Sequence, residues 1–122
     1  MITILSNFIN KIILKFKILK NINFIKKNKI KFKFYSENAA YQKYAFILIK
    51  ILSEKYPNEV YYVSSDVKDR IDTLNVNNFY IGNGFLLQYF FLSIKAENFF
   101  LTLTDLGNHI LKKNKNVNKY IY

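Results

Sequence analysis

The chain has 122 residues, is 51% apolar, contains no cysteine and carries a formal charge of +11. That length suits one domain with a short extension, and the missing cysteine excludes disulfides and thiolate metal sites. The charge sits at the ends: residues 1–35 hold nine lysines and no acid, residues 36–111 hold six basic and eight acidic residues, and residues 112–122 hold four lysines and no acid. The middle is therefore mildly acidic, and any phosphate-neutralising contact has to come mostly from the ends. Ile, Lys, Asn, Phe and Tyr dominate, a bias that A/T-rich codons alone can produce.

Ile2, Leu5, Phe8, Ile9, Ile12, Ile13, Phe16 and Leu19 recur at helical spacing. Thr3, Ser6, Asn7, Asn10, Lys11, Lys15 and Lys17 fall largely on the other side. Residues 2–19 thus read as a basic amphipathic helix, which either lies on an anionic membrane surface or is a mitochondrial transit peptide. Charges interrupt it too often for a transmembrane span. Lys33-Phe34-Tyr35-Ser36 resembles a matrix-peptidase cleavage pattern, with Lys where that pattern has Arg. The domain reading follows: 1–35 as a basic amphipathic extension or transit peptide, 36–111 as the folded domain, and 112–122 as a Lys-rich tail.

From Ala39 the pattern is cleaner. Tyr41, Tyr44, Ala45, Leu48, Ile51, Leu52 and Tyr56 predict a helix that Pro57-Asn58 ends. Glu59 to Val63 predicts a short strand. Ser64-Ser65-Asp66 then offers an N-cap for a small helix through Val67, Ile71 and Leu74, followed by a loop over Asn75 to Asn78. The uncharged stretch Phe79 to Ile94 supports two readings. One is a buried helix from about Asn83 to Ser93; the other is a hairpin turning at Gly82-Asn83-Gly84. The helix is favoured on topological grounds. Lys95 to Asn98 reads as a polar turn, Phe99 to Leu103 as the second arm of a hairpin, and Thr104-Asp105 as the cap and acidic first turn of a closing helix.

Helix, strand, helix, helix, strand, turn, strand, helix is the element order of a winged helix. The expected class is α+β and winged-helix-like, with a two-stranded wing and a basic amphipathic N-terminal helix. Leu103-Thr104, Gly107 and Leu111 match the Leu-Thr-x-x-Gly-x-x-x-Leu pattern that closes many wings. Residues 44–111 resemble more narrowly the eukaryotic small-subunit ribosomal protein ten family, whose winged-helix domain is shared with plectin. The resemblance lies in Val60-Tyr61-Tyr62-Val63-Ser64-Ser65-Asp66, Asn75-Val76-Asn77-Asn78-Phe79-Tyr80-Ile81, the pair Phe99-Phe100, and Leu103-Thr104 with Gly107. Asn77 stands where the family has Pro, and the wing is shorter and lacks the family's Trp. The resemblance implies a non-catalytic ribonucleoprotein component in the cytoplasmic ribosome, beside ribosomal RNA and neighbouring ribosomal proteins.

No catalytic, cofactor or metal constellation emerges, so the chain reads as a non-enzyme. His109 is the only histidine and sits beside the Lys tail. Asp66, Asp69 and Asp72 step along the small expected helix as a solvated face paired with Lys68 and Arg70. Gly82-Asn83-Gly84 lacks a following Lys-Ser/Thr and a βαβ context, so it does not read as a phosphate loop. The third helix carries no Lys or Arg, which disfavours sequence-specific DNA binding. Lys112, Lys113, Lys115 and Lys119 are the expected RNA contacts, and Phe85, Tyr89 and Phe90 the expected partner contacts. The second functional reading is a mitochondrially imported accessory or assembly subunit of a larger complex, and it rests on residues 1–35.

Overall fold

Phe32–Ser36 forms a strand, β1, whose five side chains are all buried, and the rest of the chain is arranged around it. The structure, a computed structural model, describes residues 2–27, 31–101 and 117–121. In chain order the elements are α1 (Ile2–Lys27), β1, a 3₁₀ turn (Ala39–Tyr41), α2 (Gln42–Lys55), β2 (Val60–Ser64), β3 (Asn77–Tyr80), α3 (Phe85–Ser93), β4 (Ala96–Leu101) and β5 (Val117–Ile121). The five strands make one sheet in the order β3-β2-β1-β4-β5. All four pairings are parallel. A parallel sheet hides both faces under helices, and this one does so by alternation along its strands.

Phe32, Phe34, Val60 and Tyr62 point to one face, where Ile49, Ala45, Phe46 and Leu52 of α2 cover them. Tyr35, Tyr61, Val63 and Phe99 point to the other, under Ile18, Ile22 and Ile25 of α1 and Phe90 and Phe91 of α3. Aromatic rings fill much of this second core. Tyr35 meets Phe91 edge-on at 5.1 Å, and Phe91 packs on Phe99 at 5.5 Å. The α2 helix ends where Pro57-Asn58 was expected to end it: the Tyr56 amide still donates to the Leu52 carbonyl, and Asn58 takes the left-handed conformation (φ 63°) that Asn tolerates best after Gly.

Lys33 alternates into the α1/α3 face and is fully buried. Its ammonium donates to the Ile25 carbonyl at 2.8 Å and to the Lys95 carbonyl. The first acceptor lies in the last turn of α1, where carbonyls lack helical partners and the dipole favours a cation. The second lies just before β4. One side chain thus fastens the centre of the sheet to the end of the first helix and the start of the fourth strand.

The mixed helix and strand content matches expectation, and so do α2, β2 and the helical reading of Phe85–Ser93. The winged-helix arrangement is not confirmed. A wing is an antiparallel hairpin, whereas β4 pairs parallel with β1 and β5, so Phe99–Leu101 is no hairpin arm. The small helix expected over 66–74 is absent. Asp66 and Asp69 instead spend their carboxylates on nearby backbone and side-chain donors, which competes with helical pairing. Asn77 and Asn78, read as loop, begin β3, held by pairing with β2. Val117–Ile121, read as part of a Lys-rich tail, is an edge strand of the sheet. The boundary at 35/36 falls inside β1, so the stretch read as an extension supplies the middle strand. Thr104, Asp105, Gly107, His109 and Leu111 lie outside the described residues.

Two expectations follow. A chain beginning at Ile18 should keep a cooperative melt, because residues 3–17 are exposed; a chain beginning at Ser36 should show none, and circular dichroism melts compare the two. Burial lowers the Lys33 pKa from 10.5 to about 8, so between those values the unfolded chain binds the extra proton and stability rises with pH. Urea unfolding should gain about 2 kcal/mol from pH 7 to 9.5, and Lys33→Met should flatten the profile. Above pH 10 the Tyr35 phenol, pushed up to about 12 by burial, acts in the opposite sense, since the folded state then holds the extra proton.

Candidate functional site

In an open parallel sheet, ligands bind outside the carboxyl ends of the strands, where successive connections leave for opposite faces. Here that point lies between β1 and β4. The chain leaves β1 for α2 on one face and reaches β2. It leaves β3 for α3 on the other face and reaches β4. The loops that follow β1, β2 and β3 gather at this edge.

Short polar residues fix the loops. The Ser65 amide donates to the Ser36 carbonyl at 3.2 Å, and the Ile81 amide donates to the Ser64 carbonyl at 3.0 Å. Ser36 Oγ donates to the Asn38 carbonyl, and Tyr35 Oη shares a 2.6 Å hydrogen bond with Ser65 Oγ. Asp69 is the hub. It is 3% exposed and accepts from Tyr62 Oη at 2.8 Å, Ser64 Oγ at 2.7 Å and Gln42 Nε2 at 2.9 Å. These donors come from β2 and α2, so one carboxylate sets the helix against the strand. Burial, with the hydrogen bond to Asp69, raises the Tyr62 phenol well above its ordinary range.

The amides that open the 3₁₀ turn are occupied. Ala39 donates to Asp66 Oδ2 at 3.0 Å and Ala40 to Asn38 Oδ1 at 2.9 Å. The Ala39 amide, with that of Lys68, holds the Asp66 carboxyl below the usual range.

Beside this polar belt lies a cavity of about 410 Å³ at the β1/β4 boundary. Phe34 and Phe100, stacked at 4.3 Å and 8° from parallel, lie across that boundary. Tyr41, Tyr44, Ala45 and Leu48 form the wall on the α2 side, and Leu101 and Ile121 close the far side. Tyr44 is 76% exposed, so its ring stands at the mouth. The strands, the turn and α2 are all needed to assemble this lining. In the sequence its members read only as core periodicity, and no local motif marked them.

The residues singled out from sequence are scattered. Phe85 is exposed at the start of α3, and Tyr89 is half-buried, with Oη donating to Asn23 Oδ1 and accepting from Lys26 Nζ. Phe90 is fully buried in the core and is not available to a partner. Lys112, Lys113 and Lys115 lie outside the described residues, and Lys119 falls on β5 by backbone. Asp72 pairs with Arg70 at 3.3 Å in the open, apart from the buried Asp69.

Gly82-Asn83-Gly84 has the context that was found missing: it joins β3 to α3 in a parallel β3-α3-β4 crossover. Both glycines hold positive φ (69° and 71°), and a Cβ on Gly82 would come within 3.1 Å of Ile18 Cδ1 on α1. Among the described residues, no group of three or more His, Asp or Glu could hold a metal ion.

Asp69→Ala leaves two buried hydroxyls, Tyr62 Oη and Ser64 Oγ, without their acceptor, while Gln42 Nε2 keeps the Arg70 carbonyl. The expected cost is about 2–4 kcal/mol in urea unfolding, with Ser53→Ala, a helix-internal hydroxyl bonded to the Lys50 carbonyl, as the mild control.

No protein-family model, curated protein or solved structure matches this chain.

Proposed function

We propose that this domain is a binding module for a small ligand carrying a flat, uncharged ring, seated in the crevice between β1 and β4. The observation that carries the reading is coincidence. The aromatic-lined cavity lies where the described connections depart to opposite faces, the position ligands use in sheets of this kind. Its lining is suited to a ring. Tyr41 and Tyr44 lie 6.5 Å apart on the wall, with the stacked Phe34 and Phe100 opposite. The Ala39 and Ala40 amides are already spent on side chains, so the crevice is read as selecting the ring and not an anionic group.

Saturation-transfer NMR and thermal-shift measurements with a panel of free nucleobases, nucleosides and phenols test this. At least one planar class should bind. Tyr44→Ala should weaken it about tenfold, the scale of one lost ring–ring stack, without altering the melting temperature. A panel that gives no saturation transfer, or a Tyr44→Ala variant that binds as well as the parent, would overturn the reading.

The ribonucleoprotein reading rests on the resemblance of residues 44–111 to the small-subunit ribosomal protein ten family, with the lysines at the two ends as its RNA contacts, and co-sedimentation with small ribosomal subunits tests it. The imported accessory-subunit reading rests on the acid-free N-terminus, and sequencing the mature N-terminus tests that one.

A further inference from the structure

The α1 helix carries two apolar stripes. At about 100° per residue, Ile18, Ile22 and Ile25 share one side of the helix, and that side is buried against the sheet. Leu5, Phe8, Ile9, Ile12, Phe16 and Leu19 cluster on another side, about 120° round from the first. Every described residue from 3 to 17 is exposed, with Phe8 at 60% and Phe16 at 68%. The second stripe therefore faces away from the core that the first stripe enters. It stops where Asn23, Lys26 and Lys27 take over its side of the helix.

Charge says what covers it. Lys15 and Lys20 border the stripe on its two sides, Lys11 and Lys17 stand farther round, and the first acid in the chain is Glu37. A second copy of this chain would bring lysine against lysine with no carboxylate on the arm to pair them. An anionic surface matches Lys15 and Lys20 at the borders, and long lysine stems let those charges reach headgroups while the apolar stripe sinks between them. No helix among the described residues is long and apolar enough to cross a membrane, so such a helix lies in the surface plane. Phe85 of α3, 87% exposed, extends the patch: it lines a hollow of about 570 Å³ with Ile12, Lys15, Phe16 and Leu19.

We propose that the free stripe of α1, with Phe85 beside it, docks this domain on an anionic lipid surface. The proposal is independent of the crevice, because it uses residues on the opposite side of the sheet from α2.

The test is flotation of the full chain with vesicles containing phosphatidylglycerol and with vesicles of phosphatidylcholine alone. The chain should float with the anionic vesicles only, and high salt should weaken the association. Phe8→Asp combined with Phe16→Asp should lower the bound fraction about tenfold or more with the melting temperature unchanged. Should that variant melt early, Lys15→Glu combined with Lys20→Glu carries the test and should lose the anionic binding equally. No flotation, equal flotation with both vesicles, or parent-like flotation of the variants would overturn the proposal. So would sedimentation velocity showing a dimer that Phe8→Asp with Phe16→Asp dissociates, since the stripe would then belong to a second copy.

Discussion

The structure depends on a charged side chain buried under its central strand. A lysine ammonium is among the most expensive groups to remove from water, and Lys33 is tolerated because the last turn of α1 and the approach to β4 each present it a carbonyl. The bonds work in both directions: they satisfy the cation, and they fix where α1 ends and where β4 begins relative to β1. Neighbouring strands then follow in parallel register, Phe32 beside Val60 on one side and beside Asn98 on the other. The lowered Lys33 pKa is the residual cost of that arrangement.

A central strand buried on both faces forces a division of labour among the helices. Phe32 and Phe34 need cover from α2, and Lys33 and Tyr35 from α1 and α3. Because the two connections leave for opposite faces, the sheet opens into a crevice between β1 and β4 at its carboxyl edge. Asp69 keeps that edge in shape by drawing a phenol and a hydroxyl of β2 and a side-chain amide of α2 onto one carboxylate. The polar belt is therefore chiefly a structural frame, and the aromatic lining next to it is left unfilled as a cavity.

The same helix that closes one face of the sheet also extends beyond it. At 26 residues α1 spans about 39 Å, while its buried isoleucines occupy only the part from Ile18 to Ile25. Its two apolar stripes point in different directions, so an average over the whole helix hides both. This is how one segment can look like a detachable amphipathic leader while it anchors the core.

The sequence by itself determined the local elements whose signals are local. Three- and four-residue spacing marked α2, Pro57-Asn58 marked its end and the Val-Tyr-Tyr-Val run marked β2, while the uncharged stretch Phe79 to Ile94 left helix and hairpin both open until the parallel β3-α3-β4 crossover settled it. It also determined that the basic charge sits at the ends. Tertiary structure decided which strands pair and in which direction, because parallel pairing joins residues far apart in the chain and leaves no turn signal between them. Phe32–Ser36 reads as a lysine-flecked extension until Ile25 and Lys95 supply acceptors for Lys33, and Val117–Ile121 reads as a lysine- and asparagine-rich tail until β4 pairs with it. Asp69 reads as one of three evenly spaced surface acids until Tyr62, Ser64 and Gln42 surround it. The crevice was equally illegible, since its lining comes from four strands, the 3₁₀ turn and α2 and exists only once the sheet order brings β4 beside β1.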